Sequence, residues 1–271
     1  MKIFAIRSDA DKLKTLGYLI YYEKEKLFYI ELPENADPWE TPLLLSSFAE
    51  KNIQTVNSYW SRVWVQQRIV PADRQNLGQV LRDNDLKEYD EFELLMLSNG
   101  RCAQDDYYLE IVDENDLPSS VRTRFTKKIE DVVPLADFHL LVFFRNGLVK
   151  KCDIREFFHQ NKQLKVFLEL YKEMFYHVRI QNGGYGVYWE ENMSIADFEL
   201  YKIGEKVPLS LSDFRNFVTH RVINTAEAAE ILNCSRQNID DLVRRDRLHP
   251  IKTSDKNKMF LKSEVLKRNW E

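Results

Sequence analysis

The sequence lacks any long hydrophobic run. Although 44% of the 271 residues are hydrophobic, no apolar stretch approaches the roughly 18 residues that a membrane-spanning helix needs. The N-terminus, MKIFAIRSDADK, also has no apolar core followed by small residues, as a secretory signal would. We therefore expect a globular protein of the cytoplasm that has no membrane partner.

The sequence is also poor in the residues that build disulfides and metal sites. Its three cysteines, Cys102, Cys152 and Cys234, are widely spaced and odd in number, and no HxxxH or HExxH spacing occurs. These patterns predict reduced thiols and no metal site. Phosphate-binding and nucleophile motifs such as GxxxxGKS, GxSxG and GxGxxG are missing as well. We therefore expect no cofactor and no catalytic residues.

The sequence has no large excess of charge of either sign, and the sign of its small net charge differs between the C-terminal end and the rest of the chain. The whole chain has 39 Lys and Arg against 43 Asp and Glu, a net charge of −4. Residues 223–271 have ten basic against eight acidic residues, whereas residues 1–222 have 29 against 35. This balance argues against nucleic-acid binding over the whole surface and leaves a small basic excess at the C-terminus.

The chain is long enough for two or three domains, and residues 1–127 predict a mixed α+β domain of unknown role. The short aromatic runs KIFAIR, GYLIYY and KLFYIEL predict strands, the last two joined as a hairpin through EKE. Helical patterns follow, one of which places Trp60 and Trp64 on the same face. Asp73 is the predicted N-cap of the next helix.

Residues 128–208 predict a small β-rich domain. HLLVFF and LVKKCDI flank Asn146-Gly147, a pair that predicts a hairpin turn with both residues at positive φ. The run PLADFHLLVFFRNGLVKKCDIREFF and the later FLELYKEMFYHVRI and GVYWEENMSIADFELYKIG resemble a bacterial family known as domain of unknown function 2442. The positions that carry this resemblance are Asn146, Gly147, Asp153, Phe175, Trp189, Leu200 and Tyr201. The resemblance implies a fold and an interaction role, and no activity.

A connecting helix is predicted over residues 209–222, capped by Ser210 or Ser212. Two shorter helices follow. The first begins at Asn224, with Glu227 completing a capping box, and the second begins at Ser235. Ile239, Leu242 and Val243 recur in the second helix at the spacing of a buried stripe. Two short helices with one apolar face each predict a helix-turn-helix.

Two strand candidates, residues 249–252 and 258–261, surround the polar turn TSDKN, and Ser263 is the predicted cap of a last helix. Residues 223–271 as a whole resemble the winged helix-turn-helix of the excisionase and MerR families. The matching positions are Ile223, Asn224, Glu227, Ala228, Ala229, Leu232, Ser235, Arg236, Gln237, Ile239, Leu242, Arg244, Arg247 and Leu248. The resemblance implies binding to double-stranded DNA, with a helix in the major groove and a basic wing.

Carried onto this sequence, the resemblance predicts two sets of DNA contacts. The residues expected in the major groove are Ser235, Arg236, Gln237, Asp241 and Arg244. The residues expected on phosphates are Arg245, Arg247, Lys252, Lys256 and Lys258. Asp240 and Asp241 depart from the family pattern and argue against tight binding by one copy, so we expect a homodimer. Asp246 stands where glycine is frequent, and Asp tolerates the left-handed conformation.

Other interpretations of the same residues stay open. The charges of the second helix also suit a solvated surface with Asp240–Arg244 and Asp241–Arg245 pairs at i, i+4. Asp105, Asp106 and Glu110 near Cys102 would suit a divalent ion in a metal-dependent enzyme. A polar set around the two tryptophans would suit a ligand or partner groove; it comprises Arg62, Arg68, Asp73, Arg74, Gln75 and Asn76.

These patterns together predict an α+β, multidomain chain with a winged helix-turn-helix at its C-terminus. The function expected first is a sequence-specific transcriptional regulator whose first two domains dimerise, sense a signal or bind a partner. An antitoxin or adaptor that grips a protein partner and binds DNA is the second. A DNA-targeted metal-dependent enzyme is the third.

Overall fold

The computed structural model describes residues 1–12, 14–190, 193–254 and 257–268. It has an α+β fold with several antiparallel sheets, as the sequence predicts. The chain divides into two compact units, one of residues 1–146 with 152–204 and one of residues 147–151 with 205–271. No helix in the described part of the chain is both long and apolar enough to cross a membrane.

The first unit begins with an antiparallel sheet in the order β4-β3-β2-β1-β5. Its strands are β1 Lys2–Ser8, β2 Thr15–Tyr22, β3 Leu27–Glu31, β4 Thr55–Val56 and β5 Tyr107–Ile111. The helices of this region are α1 Leu43–Glu50, α2 Ser58–Gln66, α3 Leu77–Asp83, α4 Glu91–Leu97 and α5 Ser119–Thr126. The three strands predicted first and their hairpin are confirmed.

Both faces of this sheet are buried because its strands carry apolar side chains at odd and even positions. Phe4 and Ile6 of β1 point to one side, where they pack with Trp64 and other residues of α1, α2 and α4. Ile3 and Ala5 point to the other side and pack with residues of α5 and with Tyr185 from later in the chain. The sheet therefore lies between two layers of the first unit.

The rest of the first unit is built around residues 129–204. Its elements are β6 Ile129–Pro134, β7 His139–Phe144, the last two residues of β8 Val149–Asp153, α6 Lys162–Leu170, β9 Arg179–Ile180, β10 Gly186–Glu190, β11 Met193–Ala196 and α7 Asp197–Ile203. Phe144, Phe175, Val187 and Leu200 are buried in its core. Of the predicted turn pair, only Gly147 has positive φ, at 80°, so the prediction that Asn146 shares this conformation is wrong.

A network of ionised side chains is buried inside the first unit. Lys128 is 1% exposed, and its Nζ lies 3.1 Å from a carboxylate oxygen of Asp197 and 3.5 Å from one of Glu31. Arg124 Nε donates to the same Glu31 carboxylate at 2.7 Å, and the Thr55 hydroxyl donates to it at 2.9 Å. Each buried charge is thus paired, as burial of a charge requires.

The same lysine contacts a stacked pair of tyrosines. Lys128 Nζ lies 3.7 Å from the centroid of the Tyr185 ring, which stacks on Tyr29 at 3.6 Å. Burial raises the pKa of Asp197, and the Lys128 ammonium opposes that rise. Burial also raises the pKa of the Tyr185 phenol well above its usual value. The network joins the first sheet to residues 185–197 within one compact unit.

The second unit holds the C-terminal residues. Its elements from residue 205 onward are β12 Glu205–Val207, α8 Leu211–Arg221, β13 Val222–Asn224, α9 Thr225–Ile231, α10 Arg236–Arg244, β14 Lys252–Thr253, β15 Lys258–Leu261 and α11 Lys262–Lys267. β12 pairs antiparallel with the part of β8 in this unit. β13, β15 and β14 form a small antiparallel sheet in that order.

Helix starts were predicted with mixed success. Ser210 caps α8, as expected: its hydroxyl accepts from the backbone N–H of Asp213, while its own backbone N–H donates to the Asp213 carboxylate at 2.7 Å. The Ser210 backbone N–H lowers the pKa of that carboxyl. Asp73 is not a cap, because α3 begins four residues later. Ser263 is not a cap either, because it lies inside α11.

Candidate nucleic-acid interface

Helix α9 begins with a complete capping box. Asn224 Oδ1 accepts from the backbone N–H groups of Ala226 at 2.8 Å and Glu227 at 3.1 Å. Glu227 Oε2 in turn accepts from the backbone N–H of Asn224 at 2.8 Å. Three N–H groups at this helix start therefore have local acceptors, as the sequence predicts.

Helix α10 follows after a tight turn. Asn233 takes a left-handed conformation with φ of 48°, and the Ser235 hydroxyl then accepts from the backbone N–H of Asn238 at 3.2 Å. The predicted cap at Ser235 is thus confirmed. Asp246 after α10 is left-handed as well, with φ of 56°, which Asp adopts more readily than most residues other than glycine.

The two helices pack on the small sheet through a compact apolar core. Ile239 of α10 and Phe260 of β15 are completely buried, and Leu242 and Val243 are partly buried against them. The other buried members of this core are Ile223, Ala228, Ala229, Leu248 and Val265. Because Ile239 fixes one side of α10 inward, the opposite side of this helix faces outward.

The outward side of α10 carries the residues predicted for the major groove. Ser235, Arg236, Gln237 and Arg244 are exposed, and Asp241 is half-buried. The side chain of Arg244 is 77% exposed. These residues project from the helix around the face that Ile239 does not occupy, so the structure brings the predicted set together on one surface.

The acidic residues of α10 pair differently from the interpretation with i, i+4 pairs. Asp241 pairs with Arg244, three residues on, and Asp240 pairs with Lys258 of β15, whose Nζ lies 2.5 Å from the carboxylate. The predicted Asp240–Arg244 and Asp241–Arg245 pairs are therefore wrong. The reason is that β15 brings Lys258 beside α10, which spacing along one helix cannot reveal. The second pair connects the helix to the hairpin.

The hairpin β14–β15 carries the predicted wing residues. Its first strand covers only Lys252–Thr253 rather than residues 249–252, because the chain is still in an irregular segment at Pro250, which has no N–H to donate. Ser254 and Asn257 close the turn through reciprocal backbone hydrogen bonds of 2.9 and 3.3 Å. β15 begins at Lys258, as predicted.

The cations predicted to contact phosphates are distributed around this hairpin and the end of α10. Arg245, Arg247 and Lys252 are exposed, and Lys258 is half-buried. Lys256, the remaining member of the predicted set, lies outside the described residues. Arg245 and Arg247 lie after the ion-paired stretch of α10, so the basic residues extend along the helix end as well as along the hairpin.

A polar cleft of about 460 Å³ lies between α9, α10 and the hairpin. Arg236, Asp240 and Lys258 line it, together with Thr225 and Asn257. Neither Thr225 nor Asn257 was predicted from the sequence to contact DNA. Their residue types did not indicate a role in DNA binding, since Thr and Asn are also common in caps and turns. The pairing of β13 with β15 brings the two residues to one cleft.

The acidic stretch of the first unit does not form the alternative metal site. Asp105 is held by Arg68, with one N–O distance of 2.5 Å, and Asp106 accepts from the Ser8 hydroxyl at 2.5 Å. Glu110 pairs with Arg7. Within the described residues, no cluster of three or more His, Cys, Asp or Glu side chains could hold a metal ion. Each carboxylate has a structural partner instead.

The positions noted in residues 128–208 have definite structural roles. Trp189 is buried, and its Nε1 donates to the carbonyl of Phe175 at 3.0 Å. Asn146 Nδ2 donates to the Tyr201 hydroxyl at 3.1 Å. Asp153 accepts from the backbone N–H of Arg155 at 3.0 Å, which caps the short helical turn that follows. These contacts hold a turn, a strand and α7 in place.

Residues 129–206 match the family model described as "Protein of unknown function (DUF2442)". The resemblance expected for this part of the sequence is thereby confirmed. The DUF2442 match covers less than half of the chain and ends before α8, so it does not extend to the candidate interface. No curated protein and no solved structure matches the chain.

Proposed function

We propose that this protein is a sequence-specific DNA-binding regulator of transcription and that its second unit works as a winged helix-turn-helix. The observation that carries the proposal is the outward face of α10. Gln237 and Arg244 are exposed on it, opposite the buried Ile239, and the exposed Arg236 lies at its side. Gln pairs with adenine and Arg with guanine through two hydrogen bonds in the major groove. The major groove is wide enough to admit an α-helix.

The hairpin and the cleft support a second type of contact. Lys252 is exposed on β14, and Lys258 together with Arg236 lines the polar cleft beside α10. Thr225 and Asn257 add groups able to donate hydrogen bonds there. Cations and hydroxyl or amide donors are the groups that commonly contact the phosphate backbone. In this proposal the DNA backbone therefore passes along the cleft while α10 reads the bases.

The ion pairs within the second unit limit the DNA affinity of a single copy of the chain. Asp240 and Asp241 each hold a cation that the proposal assigns to DNA, and residues 223–271 carry only ten basic against eight acidic residues. Few net phosphate contacts give weak binding at physiological salt. We therefore propose that two copies bind together, as a homodimer on two half-sites.

Helix α8 supports this homodimer. It has no buried residue, and Phe217 and Val218 are 52% and 55% exposed. If two copies of α8 pair antiparallel about Phe217, Asp213 of one copy lies opposite Arg221 of the other, since both are four residues from the centre. We propose a second copy of the chain as the occupant of this face.

The decisive test selects DNA from a random library with the full-length chain and then compares variants on the selected site. The wild-type chain should enrich one DNA motif. The Gln237→Ala variant should bind this motif with no base preference at one of its positions. Gln163→Ala, an exposed glutamine on α6, is the matched control and should behave like the wild type. Recovery of no motif, or equal behaviour of the two variants, would contradict the proposal.

The dimer is tested separately by sedimentation of the full chain without DNA. Arg221→Glu should weaken self-association, and Phe217→Ser, at the exposed centre of the proposed contact, should weaken it further. A chain that stays monomeric at all concentrations, or variants that associate as the wild type does, would exclude α8 as the dimer contact while leaving DNA binding testable.

A further inference from the structure

The first unit contains a cavity of about 730 Å³ in a region that the DUF2442 match does not cover. Its walls include Leu43, Phe48, Trp60, Trp64 and Tyr107. Cavities of roughly 300 to 1,000 Å³ with mainly apolar and aromatic walls are typical of small-molecule sites. Leu43 is 90% exposed and Trp60 is 40% exposed, so the apolar lining of the cavity reaches the solvent-exposed surface of the protein.

The tryptophan pair noted in the sequence therefore does border a concave surface. Of the polar residues expected around it, Arg68 lines the cavity, whereas Arg62, Asp73, Arg74, Gln75 and Asn76 do not. Residues 71–76 precede α3, which begins only at Leu77, and they lie outside the cavity walls. Arg62 pairs with Glu91 instead. The other polar groups that line the cavity come from α1 and its C-cap, from Gln67 after α2, and from the segment before β5.

Two buried donors in this wall have no acceptor. Trp64 is 2% exposed and the Arg68 side chain is 3% exposed, yet neither the Trp64 Nε1 nor the Arg68 Nε has a hydrogen-bond partner among the described residues. A buried polar group without a partner is uncommon in folded proteins and indicates a missing water or ligand. Both residues line the same cavity, so the wall of this cavity contains two donors that no acceptor of the described residues satisfies.

The charges of the cavity favour an anion. Arg68 donates to both carboxylate oxygens of Asp105, at 3.0 and 2.5 Å, so these two charges cancel. Its guanidinium also lies 4.1 Å from the Trp64 ring, which fixes its position. Lys51, exposed and without an ion pair in the described part of the chain, is then the remaining charge among the lining residues. A single cation beside aromatic walls matches a ligand with one negative charge.

We propose that this cavity binds a small aromatic carboxylic acid. The aromatic part of the ligand packs against Trp60 and the apolar wall, and its carboxylate accepts hydrogen bonds from the cavity donors and faces Lys51. Every residue of this cavity belongs to the first unit, so binding of the acid requires no DNA and is measured without it.

The test uses calorimetry of the full-length chain with naphthylacetate, its uncharged amide and hexanoate. Naphthylacetate should bind saturably with one ligand per chain. The amide should bind about threefold more weakly, because it loses one partly exposed charge contact. Hexanoate should bind about tenfold more weakly, because it lacks the aromatic ring. Absence of saturable naphthylacetate binding in the millimolar range would overturn the proposal.

Two variants assign the contacts. Lys51→Gln should remove the preference for the acid over the amide, whereas Lys24→Gln, an exposed lysine in the turn after β2, should retain it. Trp60→Ala, at a partly exposed position, should weaken both aromatic ligands and leave hexanoate almost unchanged. If Lys51→Gln kept the preference, or if Trp60→Ala bound the aromatic ligands as the wild type does, the cavity would not be the site.

Discussion

The two units of this molecule use the same kind of ion pair in opposite environments. In the first unit, Glu31 and Lys128 are 0% and 1% exposed and pair inside the core. In the second unit, Asp240 and Lys258 pair with their side chains 50% and 28% exposed. A buried charge has no water to replace a lost partner, whereas an exposed one does. Burial therefore decides which pairs hold the fold and which can exchange partners.

This difference bears directly on the proposed DNA contacts. A pair at the surface contributes about 0 to 1 kcal/mol to stability, so a phosphate can take the place of a carboxylate at little cost. Asp240 and Asp241 then act as competitors for Lys258 and Arg244 rather than as supports of the fold. The buried network cannot be used in this way, because each of its charges would remain without a partner.

The largest effect is expected from Lys128→Met. This change leaves the Glu31 and Asp197 carboxylates buried near each other without the lysine between them, which should cost about 3 to 5 kcal/mol of unfolding free energy. Urea denaturation of the full chain, following the tryptophan signal, measures it. Lys127→Met, at the neighbouring half-buried position, is the control and should cost less than about 1 kcal/mol. Equal costs would mean that burial of the Lys128 pairs does not make them more important to stability than a half-buried lysine.

Gln237→Ala comes next in size. Gln237 is uncharged and exposed on α10, so it lies outside the competition between acids and phosphates. Its loss should reduce discrimination at one base position by roughly 1 to 3 kcal/mol and leave the salt dependence unchanged. Binding to the selected site and to its single-base variants at two salt concentrations measures both. A uniform loss over all sequences would assign Gln237 to the backbone instead.

A smaller effect is expected from Lys258→Ala. If a phosphate displaces Asp240 from this lysine, the variant should weaken all sequences about equally and reduce the salt slope by about 1. Lys252→Ala, at an exposed lysine of the same hairpin, provides the comparison. An unchanged slope for Lys258→Ala beside a reduced slope for Lys252→Ala would mean that Asp240 keeps its partner in the complex.

The smallest effect on stability is expected from Asp240→Asn, at less than about 1 kcal/mol. Binding to DNA of any sequence should nevertheless tighten, with an unchanged salt slope, because Lys258 contacts the same phosphate without first losing a carboxylate partner. Filter binding over a range of salt concentrations, together with urea denaturation, checks the two expectations. Destabilisation as large as that of Lys128→Met would show that the exposed pair supports the fold after all.

The parts of the second unit that the sequence predicted correctly are those set by neighbours along the chain. The caps at Asn224 and Ser235 depend on residues no more than three positions away, and the apolar stripe through Ile239 follows from helical periodicity alone. The same local logic explains the hairpin of β2 and β3 in the first unit. It also explains why the prediction of Asp73 failed: a suitable residue type does not say where the helix begins.

Contacts between distant residues were not predictable in this way. The Asp240–Lys258 pair depends on how β15 packs beside α10, and the network of Glu31, Lys128 and Asp197 joins residues far apart in the sequence. The candidate site was therefore predicted as a set of residues on one surface that includes two acids, whereas its cleft and the partners of those acids came only from the structure. A single sequence contains the charges but not their partners.

The left-handed turn at Asp246 has a consequence for how such a protein can evolve. This residue has φ of 56°, and its side chain is 90% exposed and contacts His249 at 3.0 Å. Glycine adopts that backbone conformation without strain, so Asp246→Gly removes a negative charge beside the proposed interface and leaves the packing intact. A one-residue change could thus raise affinity for DNA of every sequence by altering charge alone. Substitutions at this turn can change the affinity for DNA of every sequence, while substitutions on α10 change the base preference independently.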